Sequence, residues 1–161
     1  MKKILMVGTG GTIASEMTAE GLAPELNTEQ LLEFIPDIGK FCRVDCLQLY
    51  NLDSTNIRPA DWLGVADILR KSYDAYDGFV ISHGTDTMAY TASVLSFMLP
   101  GLPIPVVLTG AQLPIEHPLT DGVDNLRTAF AMASSGAPGV FLAFNRKVIL
   151  GCRAVKTHTT D

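Results

Sequence analysis

The sequence predicts an α/β fold: a doubly wound, mostly parallel sheet with helices on both faces. Three observations carry this expectation. Short apolar runs alternate with segments of helical periodicity along the chain, the signature of βαβ units. The runs Ile4-Leu5-Met6-Val7 and Phe79-Val80-Ile81 are short, apolar and closed by small residues, as buried strands are. Glycine-rich polar loops follow both runs, at the carboxyl ends where open α/β sheets bind ligands.

The first strand is expected at about residues 3–7, followed by a mobile-looking stretch, 16–25, that contains Gly21 and Pro24. Asn27-Thr28-Glu29-Gln30 reads as a capping box, with Asn27 as cap and Gln30 reaching back, for a helix to about Ile35. Pro36 and Gly39 end that helix. The second strand is expected at about 44–52 and delivers Asp53-Ser54-Thr55. Pro59 suits the first position of a helix to about Tyr76, with Trp62, Val65 and Leu69 on one face. Further strands are expected at 79–82, 106–108, 140–144 and 147–150, and helices at 86–99 and 121–134. Internal repeats and low-complexity linkers do not appear in the sequence.

With 161 residues the chain fits one domain able to bury a core. The net charge of −5, with no cluster of Lys and Arg, excludes a nucleic-acid footprint. Lys2-Lys3 before an apolar run resembles a leader, yet the run breaks at Gly8, short of the roughly 7–15 residues such a segment needs. No segment is long enough to span a membrane. Cys42, Cys46 and Cys152 contain no CxxC pair, and no His joins them at ligand spacing. Buried reduced thiols and a reducing, cytoplasmic setting are the expectation, with no metal.

The loop Gly8-Thr9-Gly10-Gly11-Thr12-Ile13 is not a dinucleotide fingerprint, because Ile13 stands where the third glycine belongs and no good helix follows. A GK[ST] phosphate loop is absent too. Two readings of Thr12 and Thr85 stand at this point. They are ordinary turn and cap residues, or one is a nucleophile whose proton a neighbour takes. Asp86 and Lys156 are the available helpers, a desolvated lysine serving as base beside an orienting carboxylate. Asp86 also suits a helix first turn without any catalytic task. His83 reads as a packed, hydrogen-bonded neighbour of its loop, and His117 and His158 show no ligand spacing. Asp53-Ser54-Thr55 is either a plain turn or a hydroxyl-rich grip for a carboxylate. Arg127 and Arg153 read as surface or structural.

Thr9-Gly10-Gly11-Thr12-Ile13-Ala14 and His83-Gly84-Thr85-Asp86-Thr87-Met88 resemble the two signature loops of bacterial-type L-asparaginases. The resemblance continues through Asp53-Ser54-Thr55, Thr109-Gly110-Ala111-Gln112, Asp121-Gly122-Val123-Asp124-Asn125-Leu126 and Gly151-Cys152-Arg153-Ala154-Val155-Lys156, in the right order over nearly the whole chain. Residues 88–93 and 95–99 are similar to the cytoplasmic type I branch.

The resemblance implies hydrolysis of L-asparagine to L-aspartate and ammonia, without metal or cofactor. It makes Thr12 the nucleophile, Thr85 the second catalytic threonine, and Lys156 and Asp86 their proton-transfer partners. It also gives Asp86 to the substrate's α-ammonium, Asp53, Ser54 and Thr55 to its α-carboxylate, and the Ala111 backbone to the neighbourhood of its side-chain amide. Two departures stand out. Leu22 occupies the place of the family's loop tyrosine, and the sequence stops at Asp161, five residues past Lys156.

The family's smaller C-terminal domain is therefore absent from this sequence, and residues 1–161 read as the N-terminal domain. The expected partners are the small substrate and either a second copy of the chain or a complementary C-terminal domain. Three rivals remain: an amidase that feeds ammonia to a tRNA-bound glutamate, a non-catalytic asparagine or aspartate sensor, and an assembly partner in a split enzyme. The last draws on the 47% hydrophobic composition, which an uncovered domain interface would explain.

Overall fold

The structure, a computed structural model, describes residues 1–18, 21–24, 26–52 and 56–153. In chain order these form β1 (Lys2–Gly10), β2 (Ser15–Thr18), β3 (Gly21–Pro24), α1 (Thr28–Leu32), β4 (Cys42–Leu52), α2 (Pro59–Ser72), β5 (Gly78–Ser82), α3 (Met88–Met98), β6 (Pro105–Thr109), α4 (Gly122–Ala133), β7 (Gly139–Phe144) and β8 (Lys147–Leu150). Short 3-10 turns lie at Thr12–Ala14, Pro36–Lys40, Tyr73–Ala75 and Gly151–Arg153.

The main sheet has the order β4-β1-β5-β6-β7-β8. Its first five strands are parallel, and β8 returns antiparallel on β7 through a tight turn at Asn145 and Arg146, both at positive φ. Alternation along the strands divides the core into two layers. Ile4, Met6, Val80 and Val107 face one side with Leu31 of α1 and Leu126, Ala129 and Phe130 of α4. Leu5, Val7, Phe79, Ile81, Val106 and Leu108 face the other with Val65 and Leu69 of α2 and Ala92 and Leu95 of α3. Helices thus cover both faces, which is why the central strands read as unbroken apolar runs rather than alternating ones.

The capping box is present as expected: Gln30 N–H donates to Asn27 Oδ1 and Asn27 N–H to Gln30 Oε1, both at 2.9 Å. The helix is shorter than expected, because Pro36 opens a separate 3-10 turn. Two other expectations need correction. No strand is expected within residues 16–25, yet β2 and β3 pair antiparallel, with Glu16 opposite Ala23 and Met17 opposite Leu22. Leu26 N–H donates to Ala14 O at 2.9 Å and Leu26 is buried, which closes the base of this hairpin. Pro24 is tolerated because it stands at the strand end. The sequence also suggests that Asp86 opens a helix, whereas α3 begins at Met88 with Thr87 as its cap residue. Asp86 therefore belongs to the loop.

Phe79 is fully buried in the layer under α2 and α3, its ring 6.1 Å from that of Tyr76. Truncation there removes a large apolar group from a site that cannot collapse onto it. Phe79→Ala should lose about 3–5 kcal/mol in urea unfolding with the m-value unchanged. A loss below about 1 kcal/mol would show this layer to be loosely packed.

Candidate active site

Leaving aside the β2–β3 hairpin, the chain runs from β1 outward to β4, then crosses back past β1 to β5. The strand order reverses between β1 and β5, so ligands are expected outside the carboxyl ends of these two strands. Both glycine-threonine loops leave from there.

Backbone contact holds the loops together. Gly10 and Gly11 have φ of 101° and 92°, a region L side chains rarely adopt. A Cβ on Gly11 would lie 2.5 Å from the Gly84 nitrogen and 2.6 Å from its Cα. The residue before Thr12 therefore abuts the residue before Thr85. Gly11 N–H also donates to Leu52 O at 3.1 Å, drawing in the end of β4. Gly110, after β6, leaves no room for a Cβ beneath the His83 carbonyl, and the Thr85 methyl would be 3.5 Å from that Cβ. Four strand ends thus meet at one place.

Thr12 opens the 3-10 turn Thr12–Ala14 and is half-buried, as is Thr85; Asp86 is exposed and Ala111 fully buried. The structure brings Thr12, Thr85 and Asp86 to the rim of the switch point and Ala111 beside them. Lys156 and Asp53, Ser54 and Thr55 lie outside the described residues, as does the side chain of Leu22. β4 ends at Leu52, the residue that precedes Asp53-Ser54-Thr55 in the sequence. Among the described residues no group of acids, histidines and cysteines could hold a metal ion. Nor is any of their helices long and apolar enough to cross a membrane.

The asparaginase N-terminal family model matches residues 3–161. The chain belongs to that family. A structure of the thermostable L-asparaginase from Thermococcus kodakarensis superposes with a TM-score of 0.91 at 46% identity, covering 98% of this chain and 48% of that one. The L-asparaginase 1 of Escherichia coli K12 is 40% identical over 98% of this chain and 48% of its own length. The D component of the glutamyl-tRNA(Gln) amidotransferase of Saccharolobus solfataricus is 41% identical over 81% of this chain and 30% of its length. The domain is therefore related both to L-asparaginases and to that component of tRNA-dependent amidotransferases. The chain spans about half the length of the asparaginases it matches.

In this asparaginase N-terminal domain the threonines beside the site differ in task. Thr9 Oγ1 donates to Ser82 O and Thr109 Oγ1 to Ala143 O, each at 2.7 Å and buried. These hydroxyls tie β1 to β5 and β6 to β7 just below the loops. The expectation for His83 holds, since it is buried and hydrogen-bonded beside its loop, but sequence reasoning missed its partners on α2 and α3. Trp62 Nε1–H donates to Thr91 Oγ1 at 2.9 Å, and Thr91 Oγ1 stands 3.0 Å from His83 Nε2. His83 Nδ1 is 2.6 Å from Gly84 O. A carbonyl can only accept, so Nδ1 carries the proton, Nε2 accepts, and the Thr91 hydroxyl donates to it. The chain of bonds runs from α2 through α3 to the carbonyl of Gly84, the residue whose nitrogen and Cα Gly11 approaches. The available signal was Thr91, a polar residue in the apolar stripe of Met88, Ala92 and Leu95.

Asp121 and Asn125 lie in the stretch 121–126 that carries the resemblance, but their partners were missed; the signal is Asn125, the polar member of the buried stripe Leu126, Ala129, Phe130, Ala133 on α4. The expectation for Arg127 holds, since it pairs on the surface with Asp37 at 3.1 Å. The Arg153 side chain is outside what is described. Cys42 and Cys46 lie on one strand face and burial pushes both thiols up, away from reactivity; Cys152 is exposed, and all three are free. His117 accepts from Leu119 N–H at 3.0 Å, and His158 is outside the described residues.

Burial holds His83 below its ordinary 6.5, opposed by the bond to Gly84. A base whose folded pKa is depressed binds fewer protons when folded than when unfolded. Stability should therefore be intact above pH 6.5 and fall as the pH drops below it. Urea midpoints measured between pH 7 and 5 should show that decline, and His83→Gln should flatten it. An equal slope in parent and variant would assign the decline to other groups.

Proposed function

We propose that this chain is the threonine-nucleophile half of an amidohydrolase that converts L-asparagine to L-aspartate and ammonia. The observation that carries it is the Gly11–Gly84 contact, which sets Thr12 and Thr85 on facing loops at the switch point of the sheet. The family membership supports the reaction class, and the similarity of residues 88–93 and 95–99 to the type I branch supports a cytoplasmic setting.

In this reading the Thr12 hydroxyl adds to the side-chain amide carbon while its proton passes to a relay of Thr85, Lys156 and Asp86. The relay returns a proton to the departing nitrogen, ammonia leaves, and an ester between aspartate and Thr12 remains. Water then cleaves that ester by the same relay, regenerating the hydroxyl. The developing oxyanion needs fixed N–H donors, each worth about 2.7–4 kcal/mol where measured, and glycine-rich turns supply such groups. Asp53, Ser54 and Thr55 grip the α-carboxylate and Asp86 the α-ammonium. No metal or cofactor takes part in these steps.

Because the asparaginases it matches are about twice as long, we expect full activity only with a further domain, supplied by a longer chain or in trans, and an assembly of several copies. The test mixes the 161-residue chain with a separately expressed C-terminal domain of a matched asparaginase and assays ammonia release. Release from the mixture that drops at least roughly a thousandfold in Thr12→Ala supports the reading. Parental turnover in Thr12→Ala would sink it. The 41% identity to an amidotransferase component favours one second reading, an amidase feeding a tRNA-bound acid. Ammonia release that requires charged tRNA would select that alternative.

A further inference from the structure

The loop after β6, residues 110–121, carries Ala111 and is fastened by groups on α4 that serve no purpose within the helix itself. Asp121 occupies the cap position of α4, where a carboxylate ordinarily accepts from the first-turn N–H groups. Its side chain makes no such bond. It accepts instead from Gln112 N–H at 2.9 and 3.1 Å and from Leu113 N–H at 3.2 Å. The helix start is served by a neighbour: Gly122 N–H donates to Thr120 Oγ1 at 3.0 Å.

Asn125, 1% exposed, completes the fastening. Its Nδ2 donates to Gly110 O at 2.8 Å and to Asp121 Oδ2 at 3.3 Å, while its Oδ1 accepts from Asn145 N–H at 3.0 Å. One buried carboxamide thus links the β6 loop, the helix start and the β7–β8 turn. The loop is also joined to the Thr12 segment, because Ile115 N–H donates to Ile13 O at 3.1 Å.

Planar trans peptides turn these bonds into an orientation. With Gly110 C=O held toward Asn125, the Ala111 N–H on the same peptide points the opposite way. With Gln112 N–H held toward Asp121, the Ala111 C=O also points away from α4. Ala111 is fully buried, and no described residue gives a hydrogen bond to its C=O or takes one from its N–H. A donor and an acceptor side by side complement a primary carboxamide, which offers one of each; a carboxylate lacks the donor.

We propose that Asp121 and Asn125 are positioning residues that orient both Ala111 peptide groups toward the scissile amide and so favour amide over acid in the site. This role rests on the amidohydrolase reading above. Asp121→Ala, Asp121→Asn and Asn125→Ala are made in the 161-residue chain. Each is assayed for ammonia release with the added C-terminal domain, and by 15N spectra for the response of the Ala111 and Gly11 amides to L-aspartate.

Asp121→Ala should lower kcat/KM roughly 10- to 100-fold, through kcat, with KM within about threefold of the parent. Asp121→Asn should recover most of that loss, because its amide oxygen still accepts from Gln112 N–H. The Ala111 response should shrink in Asp121→Ala and Asn125→Ala while the Gly11 response persists. A folded Asp121→Ala with the parent's kcat/KM and the parent's Ala111 response overturns the proposal. Should Asn125→Ala fail to fold, the two Asp121 variants decide alone. A parent that binds without turnover is judged by the Ala111 response. A parent that neither turns over nor responds overturns the amidohydrolase reading itself, and this role with it.

Discussion

The approach of Gly11 to Gly84, backbone against backbone, is the contact on which the site depends. This contact admits no side chain at Gly11. With 2.5 Å between a Gly11 Cβ and the Gly84 nitrogen, any side chain would drive the loops apart and carry Thr12 away from Thr85. The positive φ of Gly11 adds a second reason for glycine. The parallel pairing of β1 with β5, Gly8 opposite Ser82, delivers both loops to the same height. The buried Thr9 hydroxyl on Ser82 O holds that register at its last step. The site is thus set by strand pairing first and by side chains second.

Around that contact the domain uses buried polar groups where it could have used apolar ones. His83, Thr91, Asn125 and Thr109 are each nearly or fully inaccessible, and each makes its hydrogen bonds toward the carboxyl edge of the sheet. A buried polar group costs free energy unless all its bonds are made, so such groups tolerate few alternative arrangements. Apolar packing under the sheet supplies stability. The polar groups above it supply direction, fixing which way particular peptides point. This division explains why they cluster at the carboxyl ends of the strands, while the middles of β1, β5 and β6 carry apolar side chains.

Much of this was legible in the sequence, for reasons of period and backbone chemistry. Unbroken apolar runs mark strands buried on both faces, and the Asn27–Gln30 box marks a helix start whose two reciprocal bonds the structure shows. The two glycine-threonine loops could be placed at strand ends because only the carboxyl ends of parallel strands gather in one crevice. The β2–β3 hairpin was not legible, since Gly21 and Pro24 are local breakers. What overrides them is a nonlocal bond between Leu26 N–H and Ala14 O. Asp86 misleads by two residues: local preference favours an acid in a helix first turn, while the helix begins at Met88 with Thr87 as its cap residue.

The residues least legible from sequence are those whose partners lie far along the chain. Asn125 reaches Gly110 and Asn145, and Asp121 reaches Gln112 across a loop with no period. Each does carry a local mark, because it breaks a rule at its own position. Asn125 is polar within an apolar helical stripe, and Asp121 sits at a cap without capping. A helix that leaves its best N-terminal acceptor to a neighbouring loop gives up local stability, and the loop it serves is the one that carries Ala111. Thr91, polar in the stripe of α3, breaks the same rule and ends on the same feature, a peptide at the rim of the switch point. In this fold, local inconsistencies on the helices point toward the site from a distance, because the groups that aim its backbone must be rooted in elements that do not move with it.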